Sequence, residues 1–264
     1  MCSNPRGRCA ARNPAVSIGR VVAMFRSPLR LIDSLMLVKS RRYWDRIAHS
    51  HATPAEQVVR HQTDQEIAAA GAQLAERLGI GPGDALLEVG CGNGLIHDSL
   101  RRAAGRATGL DLSPALAEKA RALTGLEIRL GEAAHLPWDE ATFTVIVCEE
   151  VSQHFPSKGY LVDAVTEFVR VLRPGGRAWL GMVRAPSDRN RTHGRSVGPH
   201  RQVMARLYER LSGVGLWNGY FEPSVIKSAA GRLGCECQIT FERSGEHGDL
   251  FDALIVKSAS SASN

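Results

Sequence analysis

The residues best suited to chemistry fall in three short runs: "LLEVGCGNG" (86–94), "TGLDLSP" (108–114) and "CEEVSQHF" (148–155). In the first, an apolar run ends in Glu88 and passes at once into Gly90, Gly92 and Gly94. Alternating glycines bare backbone N–H groups that can receive a carboxylate, while an acid just before them attracts an ammonium group and repels a pyrophosphate. A dinucleotide loop of the G-x-G-x-x-G type would need its third glycine at position 95, which is leucine. In the second run, Asp111 ends the next apolar segment, where a carboxylate can accept from both hydroxyls of a ribose. The third run offers Glu149, Glu150, Gln153 and His154. An amino-acid moiety and a ribose in one ligand suggest S-adenosylmethionine.

These runs need a scaffold that brings strand ends to one rim. Short apolar strands at 85–89, 107–111, 126–130, 143–148 and 177–182 alternate with helical stretches near 95–104, 114–123 and 159–172. That alternation implies a parallel sheet with helices on both faces and ligands at the strand carboxyl ends. Upstream, Leu31, Ile32, Leu35, Met36, Tyr43 and Ile47 recur at helical spacing over 29–47. "TPAE" (53–56) reads as a helix start, and "DQEIAAAGAQLAERLGI" as a helix ending before Gly81. "CECQITFER" and "LFDALIVKSA" read as a hairpin that closes the sheet with an antiparallel edge.

The runs above, with "GEAAHLPWDEATFTVIVCEEVSQHF" and "RVLRPGG", stand in an order and spacing that resembles class I S-adenosylmethionine-dependent methyltransferases, in particular the small-molecule, type 11-like group. The resemblance covers about residues 64–183 and weakly the final hairpin. It implies a Rossmann-like, doubly wound α/β fold: a mostly parallel seven-stranded sheet, an antiparallel C-terminal hairpin and an N-terminal helical cover. It implies that Glu88, Gly90, Cys91, Gly92 and Gly94 frame the methionine part of the cofactor. Asp111 then holds the ribose, Leu112 packs on adenine, Glu132 and Ala133 meet the adenine edge, and Glu149 lies near the sulfonium. Thr144 replaces the family's usual Asp in the fourth strand, and only a small local effect is expected.

Methyl transfer from a sulfonium is an in-line displacement, so the chain mainly has to align the partners in a dry site; a base is needed only where the acceptor must lose a proton. His154 is the best candidate base and Gln153 a candidate for orienting the acceptor, with pocket shaping as the competing role. His97 and His135 are expected to be structural. The stretch 183–222 is the expected substrate-side insertion, rich in arginine, with Arg191, His193 and Arg195 suited to an acidic acceptor; a solvated loop is the alternative. Trp217 and Tyr220 line an apolar acceptor pocket or pack in the core. Tyr43, with Trp44, closes over the site or packs in the core. No metal site is indicated, and the segments used for DNA-base, arginine or metal-assisted catechol methylation are missing. A binding protein without turnover stays open as an alternative; a dinucleotide oxidoreductase fits less well. O-methylation of a small molecule is slightly preferred.

Composition sets outer limits. At 264 residues and 44% hydrophobic, the chain has enough apolar residues for a sizeable core, and no run approaches a membrane span. Six cysteines without CxxC pairs or a secretory leader fit a reducing, cytoplasmic setting. Residues 1–32 hold six arginines and no acid, which leaves 27 basic against 27 acidic residues elsewhere. The high overall charge therefore gives no case for nucleic acid. The expected organisation is a basic segment 1–27, a helical cover 28–63, the catalytic domain 64–257 with its insertion, and a tail 258–264. The basic segment reads as a transit-like leader, a tail or an over-extended start. Oligomeric state is not legible.

Overall fold

The structure, a computed structural model, describes residues 28–58, 62–188, 219–244 and 248–259. One seven-stranded sheet organises them. Its strands are β1 (Ala85–Val89), β2 (Arg106–Asp111), β3 (Ile128–Leu130), β4 (Phe143–Glu149), β5 (Leu172–Arg184), β6 (Cys235–Ser244) and β7 (Gly248–Lys257). They run in the order β3-β2-β1-β4-β5-β7-β6. The first five are parallel, whereas β7 is antiparallel to both β5 and β6. The helices are α1 (Pro28–Ser50), α2 (Asp64–Arg77), α3 (Leu95–Ala103), α4 (Pro114–Thr124), α5 (Lys158–Val171) and α6 (Pro223–Arg232).

Both faces of the sheet are covered, which is why β1 is apolar at nearly every position. Leu87 and Val89 enter the main core with Phe168, Leu161 and Phe221; Leu86 enters the second with Leu100, Val145 and Val147. Order reverses between β1 and β4, so their carboxyl ends part and leave the crevice in which ligands of such sheets sit.

Several boundaries differ from sequence expectation. Strand β5 starts at Leu172, because "LRPGG" continues the strand, and β3 is only three residues long. "TPAE" starts a single 3-10 turn, Glu56–Val58, instead of a long helix. The helix proper begins ten residues on, where Thr63 and Glu66 form a reciprocal capping box. Helix α1 is present, but its apolar positions split between two faces. Leu37 and Ala48 are buried, whereas Leu31, Leu35 and Tyr43 are exposed.

Thr144 has a defined task. Its hydroxyl donates to Asp84 Oδ1 (2.6 Å) and accepts the N–H of Ala85 (2.9 Å), tying the start of β1 to β4. Asp84 in turn accepts from Arg177 at 3.1 Å. Removing the hydroxyl strands a buried N–H and a carboxylate contact, so Thr144→Val should lower unfolding free energy by about 1–3 kcal/mol. Urea denaturation at neutral pH measures this; an unchanged midpoint and slope would refute the assignment.

Candidate functional site

The glycine loop is built for close approach. Gly90, Gly92 and Gly94 all have left-handed φ angles of 76°, 57° and 93°. A Cβ at Gly90 would stand 2.4 Å from a methyl of Val151, so the loops after β1 and β4 pack directly. The N–H groups of Gly90 and Cys91 bond to Leu110 O at 2.7 and 3.1 Å, fixing the loop to β2. The side chain of Asn93 donates to Pro54 O at 2.6 Å, and Val58 lies over Gly92, so the 3-10 turn is fastened across the loop.

Asp111 closes this corner. Its Oδ2 accepts the N–H of Gly92 and its Oδ1 the N–H of Ser113, both at 2.8 Å. Each carboxylate oxygen keeps a second lone pair for a ligand hydroxyl. Burial lifts its pKa to about 6 despite these two bonds, with Glu88 adding in the same direction. Glu88 is itself buried, and its Oε2 lies 2.8 Å from Nδ1 of the fully buried His97, without the alignment of a hydrogen bond.

A cleft enclosing about 1040 Å³, mouth included, opens along this rim. It is lined by Glu88, Gly90, Cys91, Gly92, Asp111, Leu112, Glu132, Ala133, Glu149, Gln153 and His154 among the residues singled out from sequence. Gly94 is set back against Ala120 at the head of α3. Burial raises the pKa of Glu132, opposed by His135 at 3.9 Å. The Cys91 thiol packs against Gly109 and is raised well above its ordinary value by burial, then by Asp111 and Glu88. Glu149 accepts the indole N–H of Trp179 at 2.8 Å, and Glu150 holds a left-handed φ of 55°. Five carboxylates line the cleft, and among the described residues no lysine or arginine does.

On the β4 side, Gln153 is held at both ends. Its amide donates to Glu150 O (3.2 Å) and its Oε1 accepts from Arg184 Nε (2.7 Å). His154 is packed edge-on to Trp44, with ring centroids 5.1 Å apart. Burial pushes its pKa down to about 4, and the Arg184 guanidinium adds to the effect. The imidazole is therefore neutral at physiological pH.

The expected substrate contacts fare differently. Tyr43 is exposed on the outside of α1, and its neighbour Trp44, with Leu37 and Ser40, faces the cleft instead. One residue along a helix is a turn of about 100°, which separates them. Tyr220 is buried away from the cleft lining. Arg191, His193, Arg195 and Trp217 lie outside the described residues. Among the lining residues that sequence did not single out are Tyr160 and Val58. Tyr160, its hydroxyl raised by burial and Glu132, faces the cleft from α5, and Val58 from the 3-10 turn. A tyrosine one turn into an amphipathic helix carries no sequence signal of this.

Residues 87–180 match the family model described as a methyltransferase domain. Over 99 residues the chain is 43% identical to the phthiotriol/phenolphthiotriol dimycocerosates methyltransferase of Mycobacterium leprae, covering 36% of each chain. Over 108 residues it is 35% identical to the ubiquinone biosynthesis O-methyltransferase of Xylella fastidiosa, covering 38% of this chain and 42% of that one. The match thus spans about two fifths of the length of these relatives. In fold, the chain is similar to the geranyl diphosphate C-methyltransferase of Streptomyces coelicolor, solved with Mg2+, geranyl diphosphate and S-adenosylhomocysteine. The TM-score is 0.57 at 15% identity, over 84% of this chain and 97% of that one.

Two buried groups of the cleft should impose opposite pH dependences. Asp111 takes a proton more readily folded (about 6) than unfolded (3.8), so it adds stability as pH falls through that window. His154 takes one less readily folded (about 4) than unfolded (6.5), so its contribution is lost as pH falls between those values. Each amounts to at most about 3 kcal/mol. Asp111→Asn should therefore make the loss of stability between pH 6.5 and 4 steeper than in wild type, and His154→Gln should make it shallower. Denaturation curves across that range test the pair; shifts of the same sign would contradict it.

Proposed function

We propose that this chain, whose residues 87–180 form a methyltransferase domain of the class I fold, is an S-adenosylmethionine-dependent methyltransferase acting on a small molecule. The observation that carries the proposal is the charge of the cleft. Five carboxylates and no lysine or arginine among its described lining suit a ligand bearing an ammonium and a sulfonium, and oppose a pyrophosphate. The close-approach glycines and the buried carboxylate of Glu88, which makes no aligned hydrogen bond through Oε2, fit the same ligand.

In this proposal the head of α3 receives the ligand's carboxylate, since the N–H groups of Gly90, Cys91, Gly92 and Gly94 are bonded within the fold, and Glu88 faces its ammonium. Asp111 accepts from the ribose hydroxyls through its two remaining lone pairs. Glu132, Ala133 and Leu112 flank adenine, and Glu149 stands on the sulfonium side. Bound S-adenosylmethionine supplies an already activated methyl group, so the protein's contribution is alignment and exclusion of water. Trp44, Leu37 and Phe155 give that end of the cleft apolar walls.

His154, neutral and beside the β4 loop, is positioned to accept a proton from an acceptor hydroxyl, and Gln153, clamped by Arg184, to orient it. An O-methyl acceptor is preferred on that basis. Support from relatives is mixed in the atom methylated, since their names include an O- and a C-methyltransferase. An acidic acceptor rests on Arg191, His193 and Arg195 of the insertion.

Calorimetric titration with S-adenosylhomocysteine tests the cofactor. Wild type should bind at micromolar Kd and Asp111→Ala at least tenfold more weakly, about 1.5 kcal/mol. No binding by folded wild type would sink the proposal. Binding without turnover on a broad acceptor panel would instead make the chain a binding protein. If His154 acts only as the neutral base, turnover should be flat between pH 7 and 8, because its pKa of about 4 and that of Asp111, about 6, both lie below that range. His154→Gln should lower kcat at least tenfold with little change in cofactor affinity.

A further inference from the structure

Helix α1 has a second surface that the cleft does not use. Both acids of the helix bond to serines of the body: Asp33 accepts from Ser157 Oγ at 2.8 Å and Asp45 from Ser113 Oγ at 2.6 Å, with Asp45 also 3.9 Å from Arg41 at the flank of the helix. One stripe along its outer side carries no acid. There Leu31, Leu35 and Val38 follow one another at helical spacing and are 49%, 61% and 47% exposed. One turn further on, the same stripe continues into the exposed side chains of Arg42 and Arg46.

Single exposed leucines are ordinary, but three in one stripe joined to a cationic stripe form a pattern. A helix with apolar side chains on one stretch of its surface, basic ones beside them and modest overall hydrophobicity is suited to lie in a lipid headgroup layer. Helix α1 carries seven charged residues in 23, and no helix among the described residues is long and apolar enough to cross a membrane. In sequence, residues 1–27, which directly precede the helix, contain five arginines and no acid. With residues 1–32 set aside, the rest of the chain is balanced in charge, so in sequence the positive excess lies in the stretch that leads into this helix.

We propose that the outer face of α1 is a docking surface for an anionic lipid bilayer, with Leu31, Leu35 and Val38 entering the acyl boundary and Arg42 and Arg46 meeting headgroup phosphates. Charge complementarity selects this occupant: a second copy of the chain would bring arginines against arginines. The inner side of the same helix supplies Leu37, Ser40 and Trp44 to the cleft. A docked molecule therefore holds its cleft wall about one helix diameter, roughly 10 Å, from the lipid surface. The docking does not depend on which ligand the cleft takes.

Flotation of the full chain with vesicles tests it, comparing phosphatidylcholine alone with phosphatidylcholine mixed with phosphatidylglycerol. Wild type should float with the mixed vesicles, at least tenfold better than with the neutral ones, and should be released by high salt. The triple variant Leu31→Ser/Leu35→Ser/Val38→Ser and the double variant Arg42→Glu/Arg46→Glu should each lose at least tenfold in vesicle affinity. Both should keep the wild-type thermal midpoint and S-adenosylhomocysteine affinity. Absence of wild-type flotation would overturn the proposal. So would flotation undiminished in both variants, which would place lipid contact outside α1. A wild-type dimer in vesicle-free sedimentation that the triple variant abolishes would assign the face to a second copy and overturn it as well.

Discussion

The buried carboxylate of Asp111 is the joint on which the site depends. It accepts one N–H from the glycine loop after β1 and one from the turn after β2, so two strand ends are fixed to a single side chain. The connection continues outward. Ser113, whose N–H it binds, caps α4 through Leu116 N–H and donates its hydroxyl to Asp45 of the cover helix. Glycine loop, sheet, α4 and cover are thereby linked through four residues. The left-handed φ angles of Gly90, Gly92 and Gly94 accompany this geometry, in which the chain turns back at once so that the N–H groups of Gly90 and Cys91 reach Leu110 O and that of Gly92 reaches Asp111.

Such a site costs stability. Asp111 stays charged at neutral pH in spite of burial, Glu88 sits beside it, and the ring nitrogens of His97 lack aligned partners. Glu150 holds a backbone conformation that non-glycine residues rarely adopt. Every one of these features adjoins the cleft rim, while the two apolar cores on either side of the sheet are conventionally packed. The distribution is what a cationic ligand requires: carboxylates kept close together at a place where the ligand's own charge offsets their repulsion.

Much of this was legible in the sequence because it is written in local signals. Strand periodicity, the glycine alternation and the acid ending β2 are short-range patterns, and they located the rim and the residues that frame it. What escaped was decided over longer distances or by small angles. Tyr160 and Val58 reach the cleft from helices and turns that are distant in sequence from the glycine loop. Tyr43 and Trp44 are equivalent as letters, and only the rotational setting of α1 gives the cleft to Trp44. "TPAE" and "TDQE" carry the same capping pattern, yet only the second is followed by an apolar stripe long enough to sustain a helix. Thr144 illustrates a long-range role: its hydroxyl donates to Asp84 and accepts from Ala85, 60 and 59 residues away in sequence.

The setting of α1 also decides how charge is divided across the molecule. A helix with five basic and two acidic residues could pair its acids along its own surface and present a mixed face to solvent. Here both acids accept from the serines that cap α4 and α5, where the helix N-termini favour negative charge, and Asp45 also lies 3.9 Å from Arg41 of its own helix. Two consequences follow from that single choice. The cover is fastened over the rim at two points twelve residues apart, about 18 Å along the helix. Its outer face is left with arginines and three aliphatic residues that are exposed among the described residues. Inside the cover the charge is negative and outside it is positive, and one helix maintains the separation.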